Sequence, residues 1–244
     1  MHTITSYHRP ASLEAALDLL DDIGPGALII AGGTAATTAD PPPDAQVIDL
    51  QQAGLDLITV NADRVSYGAM ARIQDLIDHP ATPPLVRDLA HREGPNTLRN
   101  AATIGGTIAT ADPESELLAA LLVHETAVTI ATRAGLTTSP IEDVLATRPT
   151  GIITSVEVVS GGETASARTG RTPADRPIVA AAARSTERGT RLALTGVAAT
   201  PVLVAADRIA ALTPPGDFRG SPEYRMALAR TLTGRVLAAL GGTA

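Results

Sequence analysis

Asn100-Ala-Ala-Thr-Ile-Gly-Gly-Thr-Ile-Ala-Thr-Ala-Asp-Pro-Glu-Ser-Glu116 sets a glycine pair among small and β-branched residues, just ahead of an acidic, proline-bearing segment. Glycine admits a positive φ and lets a backbone approach a ligand closely. Consecutive main-chain N–H groups exposed in such a turn form a concave nest for anions. Gly105 and Gly106 are read as such a nest, with Thr103 and Thr107 offering hydroxyls to phosphate oxygens. Asp112 as N-cap, Pro113 at the first helical position and Glu114 in the first turn predict a helix running on through 117–123. A second pair, Gly32-Gly33, breaks the apolar run Ala27-Leu-Ile-Ile-Ala31. Two nests in one chain point to a ligand with a diphosphate at its middle and a long body on either side.

Working outward, Ser12 caps a helix over 13–20, with Leu13, Ala16, Leu17 and Leu20 on one face and Gly24-Pro-Gly26 as its stop. A buried strand over 27–30 leads into the first nest, and 47–50 and 57–60 follow as short strands. Residues 1–55 form a small α/β unit. A second unit starts near Asp56, with a strand over 65–68, helices over 73–77 and 85–91, and strands over 127–130 and 152–159. Gly161-Gly162 is a tight turn, and 164–176 is polar enough for a loop. The remainder predicts a helix over 178–183, a strand over 192–198 and a helix over 222–240. That last helix carries Tyr224, Leu228, Leu232, Val236 and Leu240 on one face.

The 244 residues are 44% hydrophobic and 18% charged, enough for a core without staples. One phenylalanine and three tyrosines leave that core to Ala, Val, Leu and Ile. Without cysteine, this chain holds no disulfide, no cysteine-ligated iron–sulfur cluster and no thiol nucleophile. A net charge of −7 argues against nucleic acid as partner. Neither a signal peptide nor a membrane span is expected, so the location read is cytoplasmic. His2, His8, His79, His91 and His124 show no metal-ligand spacing, and no metal site is expected. Neither glycine pair is a P-loop, since no Lys-Ser/Thr follows, nor a Rossmann fingerprint, since the third glycine is absent. Taken alone, each nest is also compatible with an ordinary turn.

The two nests together resemble those of the FAD-binding subunit of molybdenum hydroxylases, the xanthine dehydrogenase and carbon monoxide dehydrogenase (medium subunit) family. Tyr7-His-Arg-Pro-Ala-Ser-Leu-Glu-Ala-Ala-Leu17 is similar to that family's opening segment. Thr195-Gly-Val-Ala-Ala-Thr-Pro201 and Phe218-Arg-Gly-Ser-Pro-Glu-Tyr-Arg225 are similar to its C-terminal domain. The resemblance implies a mixed α+β and α/β fold. A two-subdomain FAD-binding domain of the PCMH type would span 1–163 (subdomains 1–55 and 56–163). A C-terminal α+β domain of the CO dehydrogenase flavoprotein type would span 164–244. Pattern alone also allows a single three-layer α/β domain.

The resemblance implies FAD as cofactor. It would lie against Ile29, Ile30, Ala31, Gly32, Gly33, Thr34, Ala35 and Ala36 of the first loop. On the other side would lie Asn100, Thr103, Ile104, Gly105, Gly106 and Thr107. Glu116 would stand near the flavin, where the family usually has aspartate. Ile153 would lie beside the ring, and Arg168 where a family lysine reaches the cofactor. Ala35 and Thr107 replace the family's usual acidic or serine residue and its asparagine. The implied partners are a molybdopterin-binding large subunit and a 2Fe-2S small subunit. The implied task is electron transfer, in which no side chain need act as acid, base or nucleophile. The departures keep a second reading open: an assembly subunit whose FAD binding is weakened or lost. A nicotinamide-binding dehydrogenase fits the glycine spacing poorly.

Overall fold

The computed structural model describes residues 4–35, 43–172 and 175–241. Three sheets follow one another along the chain. The first is parallel, built from β1 (Ile4–His8), β2 (Ala27–Ile30) and β3 (Ala45–Asp49) in the order β1-β3-β2. Helix α1 (Leu13–Ile23) makes the crossover from β1 to β2. Ser12 caps it by accepting the Ala15 N–H at 3.2 Å, and Gly24, with φ +63°, ends it. Its buried Ala16 and half-buried leucines pack on Ile48 and Leu50, joined by Ile152 from the second sheet.

The second sheet is antiparallel, in the order β4-β5-β8-β6-β7. Its strands are β4 (Ile58–Asn61), β5 (Arg64–Gly68), β6 (Ala127–Thr132), β7 (Gly135–Pro140) and β8 (Ile152–Val159). Val65, Tyr67, Val128, Val156 and Val158 face the core, as period-two alternation requires. Over that face lie α2 (Ile73–Asp78), α3 (Pro84–His91), α5 (Ile104–Thr110) and α6 (Glu116–Val123), with α4 (Asn96–Arg99) and α7 (Ile141–Thr147) beside them. Every residue of α6 is buried, because α6 also packs on the third sheet.

The third sheet is antiparallel, β12-β11-β10-β9, from β9 (Glu163–Thr169), β10 (Val179–Thr186), β11 (Gly189–Thr195) and β12 (Val202–Leu203). Ala182 and Ala193 face the core shared with α6. Ala181, Ala183, Leu192 and Leu194 face α8 (Pro222–Ala239).

Four expectations are corrected here. The alanine run predicted as a helix over 178–183 is strand β10. Alanine's helix propensity yields to a position between two helices, where small side chains on both faces allow close layers. The predicted loop over 164–176 contains β9, whose Ala165 and Ala167 pack inward between polar neighbours. Asp112 is not the N-cap. Helix α6 begins at Glu116, and Ser115 caps it through the Leu118 N–H at 3.1 Å. Tyr224 is 45% exposed and does not join the buried stripe of α8; Leu232 and Val236 do, with Arg225, Ala229 and Thr233 beside them. Strand β7 and helix α7 are elements that the sequence pattern did not signal.

Candidate functional site

The first glycine loop leaves the carboxyl end of β2, the end at which parallel α/β sheets present ligands. Ile29 to Thr34 are half-buried and Ala35 is exposed, while Ala36 lies outside the described residues. Gly33 holds φ +74°, so it supplies the turn. Gly32 supplies close approach: a Cβ there would fall 1.9 Å from the Ala101 carbonyl oxygen. Among the described residues, the N–H groups of Gly32 and Gly33 donate to no protein acceptor.

The second pair is not a loop nest. Gly105 and Gly106 lie in the first turn of α5, behind its N-cap Thr103. Their amides and those on either side are all used within the protein. Ile104 N–H donates to Ala71 O (3.0 Å), Gly105 N–H to Ala69 O (2.9 Å) and Thr107 N–H to Thr103 O (2.9 Å). Gly106 N–H donates to Thr103 Oγ1 at 3.1 Å, and Thr107 Oγ1 donates to Thr103 O at 3.0 Å. The Thr103 hydroxyl accepts in that cap, so its proton remains to donate elsewhere. Gly105 serves packing. A Cβ on Gly105 would lie 2.7 Å from Ala69 Cβ, and one on Gly106 would lie 3.8 Å from Ala31 Cβ. The structure therefore brings the two glycine segments together at Gly32, which lies against the Ala101 and Ala102 backbone just ahead of α5.

Asn100 stays with its own helix, its side-chain N–H donating to Asn96 O at 2.9 Å. Ile153 is partly buried on β8 against the main core. Its neighbour Thr154 accepts the Ala69 N–H, and Ala69 in turn accepts from Gly105, so two main-chain hydrogen bonds tie β8 to the glycine helix.

Glu116 and Arg168, 52 residues apart in sequence, meet directly: Arg168 Nε lies 3.2 Å from Glu116 Oε2. Arg92 Nη1 holds the other oxygen at 3.0 Å. Sequence reasoning missed Arg92 and its neighbour Glu93, which look like surface charges before Gly94-Pro95. Glu93 accepts from Ser115 Oγ at 2.8 Å and from Leu117 N–H at 2.9 Å. Burial pushes its carboxyl pKa up, against those hydrogen bonds and the nearby Arg176. Arg176 also pairs with Asp112.

The fold is of a flavin-binding class. Residues 3–161 match the family described as the FAD-binding domain in molybdopterin dehydrogenase, and the chain belongs to that family. FAD is the family's cofactor. YgfM of Escherichia coli K12, an uncharacterized protein, is 31% identical over 253 residues, covering 97% of this chain and 95% of YgfM. The carbon monoxide dehydrogenase of Hydrogenophaga pseudoflava contains a chain that superposes with a TM-score of 0.90 at 25% identity, covering 99% of this chain and 98% of that one. A chain of quinoline 2-oxidoreductase from Pseudomonas putida 86 shares the fold, with a TM-score of 0.85 at 24% identity and 98% coverage of both.

Proposed function

We propose that this chain is the electron-transfer flavoprotein of a molybdenum hydroxylase complex. It would receive electrons from the clusters of a 2Fe-2S small subunit, beside a molybdopterin-binding large subunit, and deliver them to an external acceptor in the cytoplasm. Bound FAD supplies the redox chemistry, taking up electrons and releasing them. Residues 1–163 form the cofactor-binding part in this reading, and 164–244 a C-terminal domain.

The observation that carries the reading is the meeting of the two glycine segments, with the Gly32 and Gly33 donors left unspent among the described residues beside the seam. Two adjacent main-chain donors suit a diphosphate. The Thr103 hydroxyl proton is a third donor on the facing segment. Ile29, Ile30, Ala31, Thr34, Ala35 and Ala36 would line one side of the cofactor, and Ile104 to Thr107 the other. The committed amides of α5 make that second side a steric wall rather than a phosphate cradle. Glu116, Arg168 and Ile153 would stand at the ring end. The purified chain should be yellow, or should take up FAD at one per chain in titration with quenching of flavin fluorescence. A colourless chain that takes up none, yet copurifies with both partners, would replace this reading with that of an assembly subunit.

A further inference from the structure

We infer that Arg92 is a positioning residue for the cofactor: it fixes the Glu116 carboxylate and adds positive charge at the ring end of the site. The inference rests on the proposed placement of Glu116 and Arg168 beside FAD.

Glu116 is the first residue of α6, and its side chain is 4% exposed. A carboxylate so buried needs a compensating cation. It has two, one on each oxygen: Arg92 Nη1 at 3.0 Å and Arg168 Nε at 3.2 Å. One arginine suffices for neutrality, so the second does something more. The two come from distant places, Arg92 from the C-cap of α3 and Arg168 from β9, and together they fix both oxygens. Arg168 alone would leave the carboxylate free to turn about its contact.

Glu93 completes the device. Its carboxylate takes the Ser115 hydroxyl and the Leu117 N–H, the residues on either side of Glu116. The dipeptide Arg92-Glu93 thus grips three consecutive residues of the α6 start. Glu93 sets the backbone and Arg92 sets the side chain. A salt bridge meant only for stability would gain little from Arg92, whose side chain is 36% exposed.

Charge gives the inference a readout that a structural role would not move. Two-electron reduction adds negative charge to a flavin, which a nearby cation favours. Removing Arg92 should therefore lower the midpoint potential and weaken binding together. The full chain is compared as wild type, R92Q and R92K, by FAD titration calorimetry, by dye-equilibrated potentiometry and by melting without FAD. R92Q should melt close to wild type and bind FAD about tenfold more weakly. Its potential should drop by ~30 mV, a tenfold loss of preference for the reduced cofactor. R92K should keep most of the potential while still losing affinity, because it keeps the charge and not the planar fork. If R92Q does not fold, R92K decides: an unchanged dissociation constant overturns the inference. Wild-type uptake of FAD with R92Q matching it in both affinity and potential overturns the role of Arg92 alone. A wild type that takes up no FAD overturns the function and this inference together.

Discussion

At the scale of the residue, four glycines that look alike in sequence do different physical work. Gly33 alone has a positive φ. Gly32 and Gly105 are glycine because another backbone occupies the space of a Cβ. Gly32→Ala should be among the most damaging small substitutions in the chain. Its methyl would sit 1.9 Å from the Ala101 carbonyl oxygen, so the two glycine segments must separate. The cost is about 3 kcal/mol, a fall of roughly 6–12 °C in melting temperature, together with loss of FAD uptake. Gly26→Ala is the control: its methyl would meet only Ile23 Cγ2 at 3.7 Å, and it should shift stability by less than about 0.5 kcal/mol. Differential scanning calorimetry of both variants checks this. Sequence marked these positions, because paired glycines in apolar runs signal a turn or a close approach of backbones. It could not say which donors stay unspent. The acceptors for Ile104 and Gly105 are carbonyls of Ala71 and Ala69, more than 30 residues earlier in the chain.

At the scale of the element, the sequence was readable wherever local signals and tertiary demand agreed. Ser12 caps the helix its position promised, accepting the Ala15 N–H, and Ser221 caps α8 in the same way through the Tyr224 N–H. Asp112 misled because Ser115 competes for the same role three residues later, and Glu93, just beyond α3, fixes Ser115. Strand β10 misled because Val179-Ala-Ala-Ala-Ala183 has helical propensity and no alternation; a strand buried on both faces needs none. The strand makes a direct prediction. Ala182 is 1% exposed between the third sheet and α6. Ala182→Leu should overpack that layer and destabilise by about 1–3 kcal/mol, seen as a lower urea midpoint with unchanged slope. On an exposed helix the same change would be nearly neutral, so an unaffected midpoint would contradict the sandwiched strand.

At the scale of the whole molecule, the units are joined by more than sequence order. The segment from Asp112 to Glu116 receives Arg176, the Gly196 N–H, Arg219 and Arg168 from the C-terminal part of the chain. Helix α6 then runs buried between the second and third sheets and ends at His124. His124 is 1% exposed, and its Nδ1–H donates to the Val159 carbonyl at 2.7 Å, while Nε2 is buried without a partner. Burial lowers its pKa from 6.5 to about 4, with Arg184 nearby adding to the effect. The folded value lies below the unfolded one, so between them the unfolded chain binds more protons. This contribution to stability is complete above pH 6.5 and is lost as pH falls toward about 4. The loss amounts to about 3 kcal/mol. Because His124 stands where both sheets meet α6, its protonation should destabilise the whole chain rather than one part. Urea unfolding followed by far-UV circular dichroism and by tyrosine fluorescence should give coincident midpoints that fall together between pH 7 and 4.5. His124→Gln should flatten that slope, since an amide can donate to Val159 and does not titrate. Separate midpoints for the two probes, or a slope that His124→Gln leaves unchanged, would contradict the shared seam.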